Sequence, residues 1–130
     1  MTAAIVAHLK PRILVLDDSA LVRRTLRQIL EPAGYDVAEA EDGLTALERY
    51  FIEKPDVVLL DLVMKGMYGL DVLTKLRELD SDVKVVVVSA DIQTSSQELV
   101  EQAGGKAFVN KPFDKAEILK ALSAVLTGAL

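Results

Sequence analysis

The 130-residue chain contains no cysteine, no tryptophan and a single histidine, His8. The absence of cysteine removes any disulfide framework, thiol nucleophile or thiolate zinc site, and accords with a reducing compartment. A lone histidine in the leading segment removes multi-histidine metal sites and leaves no second imidazole for an acid–base relay. His8 itself reads as a solvated tail residue. Long hydrophobic runs are missing near the start. The apolar stretch at 3–7 is too short for a signal-peptide core, lacks a basic leader and runs into His8 and Lys10. The chain therefore reads as cytoplasmic, with no membrane insertion. An excess of positive charge is missing too: 15 basic against 20 acidic residues give a formal net charge of −5. That balance keeps the protein soluble and argues against broad attraction to nucleic acid or an anionic membrane.

What the chain does have is alternation. From Arg12 onward short aliphatic runs alternate with segments of helical periodicity, which predicts a doubly wound α/β fold with a parallel sheet covered on both faces. The expected strands are RILVL (12–16), YDVAEA (35–40), VVLL (57–60), KVVVVS (84–89) and KAFVN (106–110). Ser19 is positioned to cap a helix bearing Val22, Leu26, Ile29 and Leu30, which Gly34 ends. Asp42 caps a second helix, expected to present Leu44, Leu47 and Phe51 on one face, before Pro55. A glycine-punctuated loop at 62–69 leads into a third helix with Leu70, Leu73 and Leu76. A fourth, near 94–103, has a narrow apolar face of Leu99, Val100 and Ala103, and should be the least firmly held. The last carries Ile118, Leu119, Leu122, Val125 and Leu126. This divides the chain into a leading extension, 1–11, and one domain, 12–127, with no output domain expected after it. A domain of this length buries roughly two-thirds of its unfolded surface without a staple.

Asp61 directly follows four aliphatic residues of a strand expected to be buried on both sides, where an ionised carboxylate needs compensation. In an open parallel sheet, functional groups gather beyond the carboxyl ends of the strands. The first strand ends in Asp17 and Asp18, the third in Asp61, the fourth in Ser89 and the fifth in Lys111. If the first and third strands are neighbours, three carboxylates converge. Two charges about 4 Å apart repel by roughly 4 kcal/mol at an effective dielectric near 20. A divalent cation removes that repulsion, and oxygen-only donors suit magnesium or manganese better than zinc. Strand-end aspartates also serve as helix caps, which accounts for Asp42 but not for Asp61.

With LVLDDS, DVVLLDLVMKGMYG, VVVVSA and FVNKPF in this order and spacing, the chain from about Arg12 to Leu126 resembles the receiver domain of two-component response regulators, the stand-alone chemotaxis receiver included. The resemblance implies a flavodoxin-like sheet of strand order 2-1-3-4-5 with five helices, and a phosphoacceptor role for Asp61. It implies that Asp17 and Asp18 bind magnesium together with Asp61 and a backbone carbonyl at Val63. Ser89 and the amide of Ala90 match donors to a phosphoryl oxygen. Lys111 matches the lysine that pairs with the phosphoryl group, ahead of a cis bond to Pro112. Ser89 and Phe108 match the pair that couples phosphorylation to the surface of the fourth helix, fifth strand and fifth helix. The implied donor is a sensor histidine kinase or histidine phosphotransfer protein, and the implied activity is limited to the chain's own phosphorylation and dephosphorylation.

The sequence departs from the family pattern at several positions. Lys65 stands where proline is usual, Tyr68 where aspartate is frequent, and Ser89 and Phe108 replace common threonine and tyrosine. Val63 cannot orient an attacking water, whereas Asp91 could. A haloacid dehalogenase-type enzyme needs a second aspartate where Val63 stands. A flavodoxin-like flavin binder needs a hydroxyl- and glycine-rich loop where DDSALVRR lies. A receiver fold that binds a protein partner without phosphorylation is the remaining alternative.

Overall fold

The aliphatic runs pair as parallel strands because their branched side chains fill both faces of a sheet. The computed structural model describes residues 10–64, 67–90 and 94–129, so His8, Lys65, Asp91 and most of the leading extension lie outside the described residues. In chain order the elements are β1 (Arg12–Leu16), α1 (Ala20–Leu30), β2 (Asp36–Ala40), α2 (Gly43–Glu53), β3 (Val57–Leu60), β4 (Val63–Met64) and β5 (Met67–Tyr68). They continue with α3 (Gly69–Leu79), β6 (Val85–Ser89), α4 (Thr94–Gln102), β7 (Ala107–Asn110) and α5 (Lys115–Leu126). The sheet has the order β2-β1-β3-β6-β7, and β4 and β5 form a separate antiparallel pair. With that small ribbon counted apart, the sheet follows the expected 2-1-3-4-5.

Register places the strand ends level. Leu16 lies opposite Ala40 of β2 and Leu60 of β3, Leu60 opposite Val87, and Ser89 opposite Asn110. One face of the sheet packs against Ala46 of α2, Val72, Leu73 and Leu76 of α3, and Val100 of α4. The other packs against Leu26 and Leu30 of α1 and Ile118, Leu122 and Val125 of α5. Ser19 and Asp42 cap α1 and α2 by accepting from the amides of Val22 and Thr45. Among the described residues no helix is long and apolar enough to cross a membrane.

Two expectations need correction. The stretch 62–69, read as loop, contains the β4/β5 ribbon, with Val63 opposite Tyr68. On α2, Leu44 and Phe51 are 66% and 53% exposed, while Gly43 and Ala46 are buried and Leu47 and Tyr50 pack against the core. The stripes 44/47/51 and 43/46/50 both satisfy helical spacing. The small residues at 43 and 46 let the helix approach the sheet closely, so that stripe turns inward.

Candidate functional site

The β1–β3 ladder runs one residue past its last paired strand position. The amide of Asp61 donates to the Leu16 carbonyl at 3.1 Å, and that of Asp17 to the Ala40 carbonyl at 3.2 Å. Two aspartates therefore leave adjacent strands side by side. Asp17 and Asp61 are 3% and 6% exposed, whereas Asp18 stands exposed beside them. Carboxylate oxygens of the three lie within 4.8 Å of one another.

Lys111 reaches this cluster from the end of β7, two strands away from β3. Its Nζ donates to Asp17 Oδ2 at 2.7 Å and to Asp61 Oδ2 at 3.4 Å. The other oxygen of each carboxylate is held locally: the Ser19 amide donates to Asp17 Oδ1 at 2.9 Å, and the Val63 amide to Asp61 Oδ1 at 3.2 Å. Each buried aspartate is thus oriented by a turn amide through one oxygen and shares the other with Lys111. The backbone amide of Lys111 donates to the Ser89 carbonyl at 2.9 Å, and the Lys111–Pro112 peptide bond is cis.

Burial raises the Asp61 carboxyl above its ordinary value; the Lys111 charge opposes that shift and the Asp17 charge adds to it. For Lys111, burial works to lower the ammonium. The hydrogen bond to Asp17 and the charges of Asp17 and Asp61 outweigh burial and hold it above its ordinary value. One ammonium against three carboxylates leaves the cluster net negative. Its donors are all oxygen, two are held in fixed orientation, and the Asp18 side is open to water. That set fits a hard divalent cation that keeps several waters, and not a soft or nitrogen-preferring metal.

The remaining candidates take these positions. Ser89 is fully buried at the end of β6. Phe108 lies opposite Val87, two residues before Ser89, so Phe108 and Ser89 share one face of the sheet. Phe108 is half-buried against the core on that face. Ala90 is exposed, and Val63, 60% exposed, sits on the β4/β5 ribbon beside Asp61.

Two contributors escaped the sequence reading. Gly69 begins α3 directly against the end of β3: a Cβ there would collide with the Asp61 carbonyl oxygen and with Leu62 Cα. Its amide donates to the Leu62 carbonyl at 2.6 Å. Arg23 donates from Nη1 to the Asp17 carbonyl at 2.7 Å. Neither carries a local signal, because each depends on what the fold places next to it.

Residues 13–123 match the family described as the response regulator receiver domain. The chain is 38% identical over 115 residues to the chemotaxis protein CheY of Thermotoga maritima, covering 88% of this chain and 96% of that protein. It is 37% identical over 116 residues to the CheY of Bacillus subtilis, with coverage of 88% and 97%. Among solved structures, a CheY-like response regulator receiver domain protein from Methanospirillum hungatei is similar with a TM-score of 0.87 at 26% identity, over 92% of this chain and 95% of that one. The structure of a CheX–CheY–BeF3–Mg2+ complex from Borrelia burgdorferi gives a TM-score of 0.85 at 30% identity over 88% of each chain.

Proposed function

The chain belongs to the response regulator receiver family, and from that premise we propose that it is a two-component response regulator whose Asp61 accepts a phosphoryl group from a phosphohistidine on a partner protein. The observation that carries this reading is the arrangement around Asp61: a nearly buried carboxylate at a strand end, an ammonium 3.4 Å away and two further carboxylates alongside.

Asp61 attacks phosphorus, the P–N bond to the donor imidazole breaks, and an acyl phosphate forms on the carboxylate. Phosphoryl transfer asks little of the protein beyond a positioned nucleophile and neutralised oxygens. Asp17, Asp18 and Asp61, with the backbone carbonyl of Val63, would hold the magnesium or manganese ion, which when bound neutralises charge on the transferring phosphoryl group. Lys111 exchanges its contact with Asp61 for the new phosphoryl oxygens, while the Ser89 hydroxyl and the Ala90 amide donate to them. Movement of Ser89 toward the phosphate frees space on the sheet face it shares with Phe108, and that aromatic carries the change to the surface of α4, β7 and α5. Water hydrolyses the acyl phosphate, so the chain acts on itself alone and is not an enzyme toward other substrates. Its upstream partner is a sensor histidine kinase or a histidine phosphotransfer protein, and its downstream partner is a protein that reads the altered surface. The Borrelia relative, solved as a complex with BeF3 and Mg2+, supports the reading.

The test is intact mass after incubation with acetyl phosphate, with and without magnesium, repeated on Asp61→Asn. A magnesium-dependent gain of one phosphoryl group, absent in the variant, is expected. No gain in the parent chain, with beryllofluoride also failing to bind, would overturn the reading and favour a phosphorylation-independent binding module.

A further inference from the structure

We propose that Arg23 is a positioning residue for the acidic cluster: its forked guanidinium fixes the peptide plane between Asp17 and Asp18 and ties that plane to β2. The inference rests on the proposed divalent-cation site and extends it to a residue that touches none of the candidate ligand oxygens.

The carbonyl oxygen that Arg23 Nη1 engages at 2.7 Å belongs to the peptide linking Asp17 to Asp18. A peptide unit is planar, so holding its oxygen also holds the amide nitrogen and Cα of Asp18. The Asp18 side chain is exposed at this turn, and where it starts from is set by the position of that amide and Cα. Asp17 is anchored separately, through its own amide on Ala40 and through its Oδ1 from Ser19. Arg23 is itself fixed at the other end. Its Nε donates to Glu39 Oε1 at 3.1 Å, while Arg27 Nε takes Glu39 Oε2 at 2.8 Å. The Arg23 side chain is only 14% exposed, which makes this fork well shielded from water. A single planar cation thus spans from β2 to the turn that carries two of the three carboxylates.

Three roles for Arg23 give three different outcomes for cation binding. A plain strap between α1 and β2 changes stability and leaves affinity alone. A positive charge near the site opposes an incoming cation, so its removal tightens binding. A positioning residue does the reverse: its removal lets the Asp17–Asp18 peptide rotate and weakens binding.

The experiment is calorimetric titration of the full chain with magnesium, alongside urea unfolding in the presence of a chelator, for the parent, Arg23→Gln, Arg23→Lys and Arg27→Gln. Loss of residues that orient metal ligands typically costs about 10- to 100-fold in affinity, so Arg23→Gln is expected to weaken binding by about 10-fold or more. Arg23→Lys is expected to weaken it as well, because the charge remains but the fork that reaches two acceptors does not. It also carries the test should Arg23→Gln fail to fold. Arg27→Gln, which removes the neighbouring α1–β2 pair on the other oxygen of Glu39 and leaves the Arg23 fork on Asp17 in place, should lose stability and bind the cation like the parent. Unchanged or tighter binding by folded Arg23→Gln would overturn the proposal, as would an equal loss in Arg27→Gln. A parent chain that binds no magnesium would overturn the cation site itself, and this inference with it.

Discussion

Replacing Asp61 with asparagine should stabilise the protein when no cation is bound, by roughly 2 kcal/mol, because burial costs the carboxylate more than its neighbours return. The distances show that the charge interactions nearly cancel, which leaves the hydration cost to set the magnitude. Lys111 Nζ at 3.4 Å from Asp61 Oδ2 attracts it by about 5 kcal/mol at an effective dielectric near 20. Asp17, with oxygens within 4.8 Å, repels it by at least about 3.5 kcal/mol on the same scale. Exposed Asp18 adds a smaller, screened repulsion. These contributions nearly offset, so lost hydration decides the balance for a side chain in a residue only 6% exposed. The asparagine oxygen still accepts from the Val63 amide, and Lys111 gives up its longer contact at 3.4 Å but keeps its 2.7 Å bond to Asp17.

The assay is urea unfolding at neutral pH with a chelator present, followed by the same measurement with magnesium and at lower pH. For a domain of this size, 2 kcal/mol corresponds to an upward shift in Tm of roughly 6–10 °C. Because the folded-state pKa of Asp61 is raised above its ordinary 3.8, the folded state holds that proton more tightly than the unfolded chain does. The resulting stability is fully present below about 3.8 and is lost as pH rises through the folded value. The advantage of Asp61→Asn should therefore be complete at neutral pH and shrink in acid. It should also shrink with magnesium, which binds the folded parent more tightly than the variant. A variant less stable than the parent at neutral pH without cation, or an advantage that does not change with pH, would refute the reasoning.

Gly69→Ala should destabilise the fold by about 1–3 kcal/mol, since the added Cβ meets the Asp61 carbonyl and Leu62 Cα, backbone atoms that cannot swing aside. An unaltered urea midpoint would sink that expectation. Tyr50→Phe removes the hydroxyl that donates to Asp80 Oδ2 at 2.6 Å and joins α2 to the end of α3, at an expected cost of about 1 kcal/mol. The Tyr50 hydroxyl, with the Asp82 amide, holds the Asp80 carboxyl below its ordinary 3.8, a contribution present above that value and lost as pH falls through the lower folded one. The stability gap between variant and parent should close in acid, and an NMR titration should show the Asp80 carboxyl rising in the variant. A gap that stays constant from neutral to strongly acidic pH would contradict the assignment.

The elements whose residues serve only one purpose were the most legible. VVLL and VVVVS have no polar face to offer solvent, so a strand covered on both sides was the reading their composition allowed, and all of their residues are buried. Ser19 and Asp42 announced helix starts because short polar side chains favour caps over helix interiors. Legibility failed where two physical solutions met the same pattern. On α2 the apolar residues cover more than one stripe, and only the approach of Ala46 to the sheet selects the buried one. At α4, Leu99 and Val100 are adjacent in sequence, yet one is 45% exposed and the other 2%. At 62–69 the glycines promised irregular backbone, and the pairing of Val63 with Tyr68 had no alternation long enough to reveal it.

The same division runs through the site. Asp17 and Asp61 could be placed together from sequence only on the condition that β1 and β3 are neighbours, which the family resemblance implied and the sheet order bears out. The strand-end rule named Lys111 as well, but a lysine after an edge strand has no local mark that its ammonium reaches past β6 to Asp61 and past β3 to Asp17. The role proposed for it came from resemblance to a family. Arg23 and Gly69 lie deeper still. Arg23 acts on a carbonyl six residues earlier while being held by Glu39 sixteen residues later. Gly69 matters because of an atom of Asp61, eight residues before it. Groups that meet a ligand need a particular chemistry and so stand out by residue type; groups that aim them need only the right place, which any arginine or glycine can fill. It follows that the receiver family and its acidic cluster were readable from the chain, whereas the residues proposed to aim that cluster are ones that only the fold identifies. Substitutions at Arg23 are therefore expected to separate chains that share all the acidic residues but differ in cation binding.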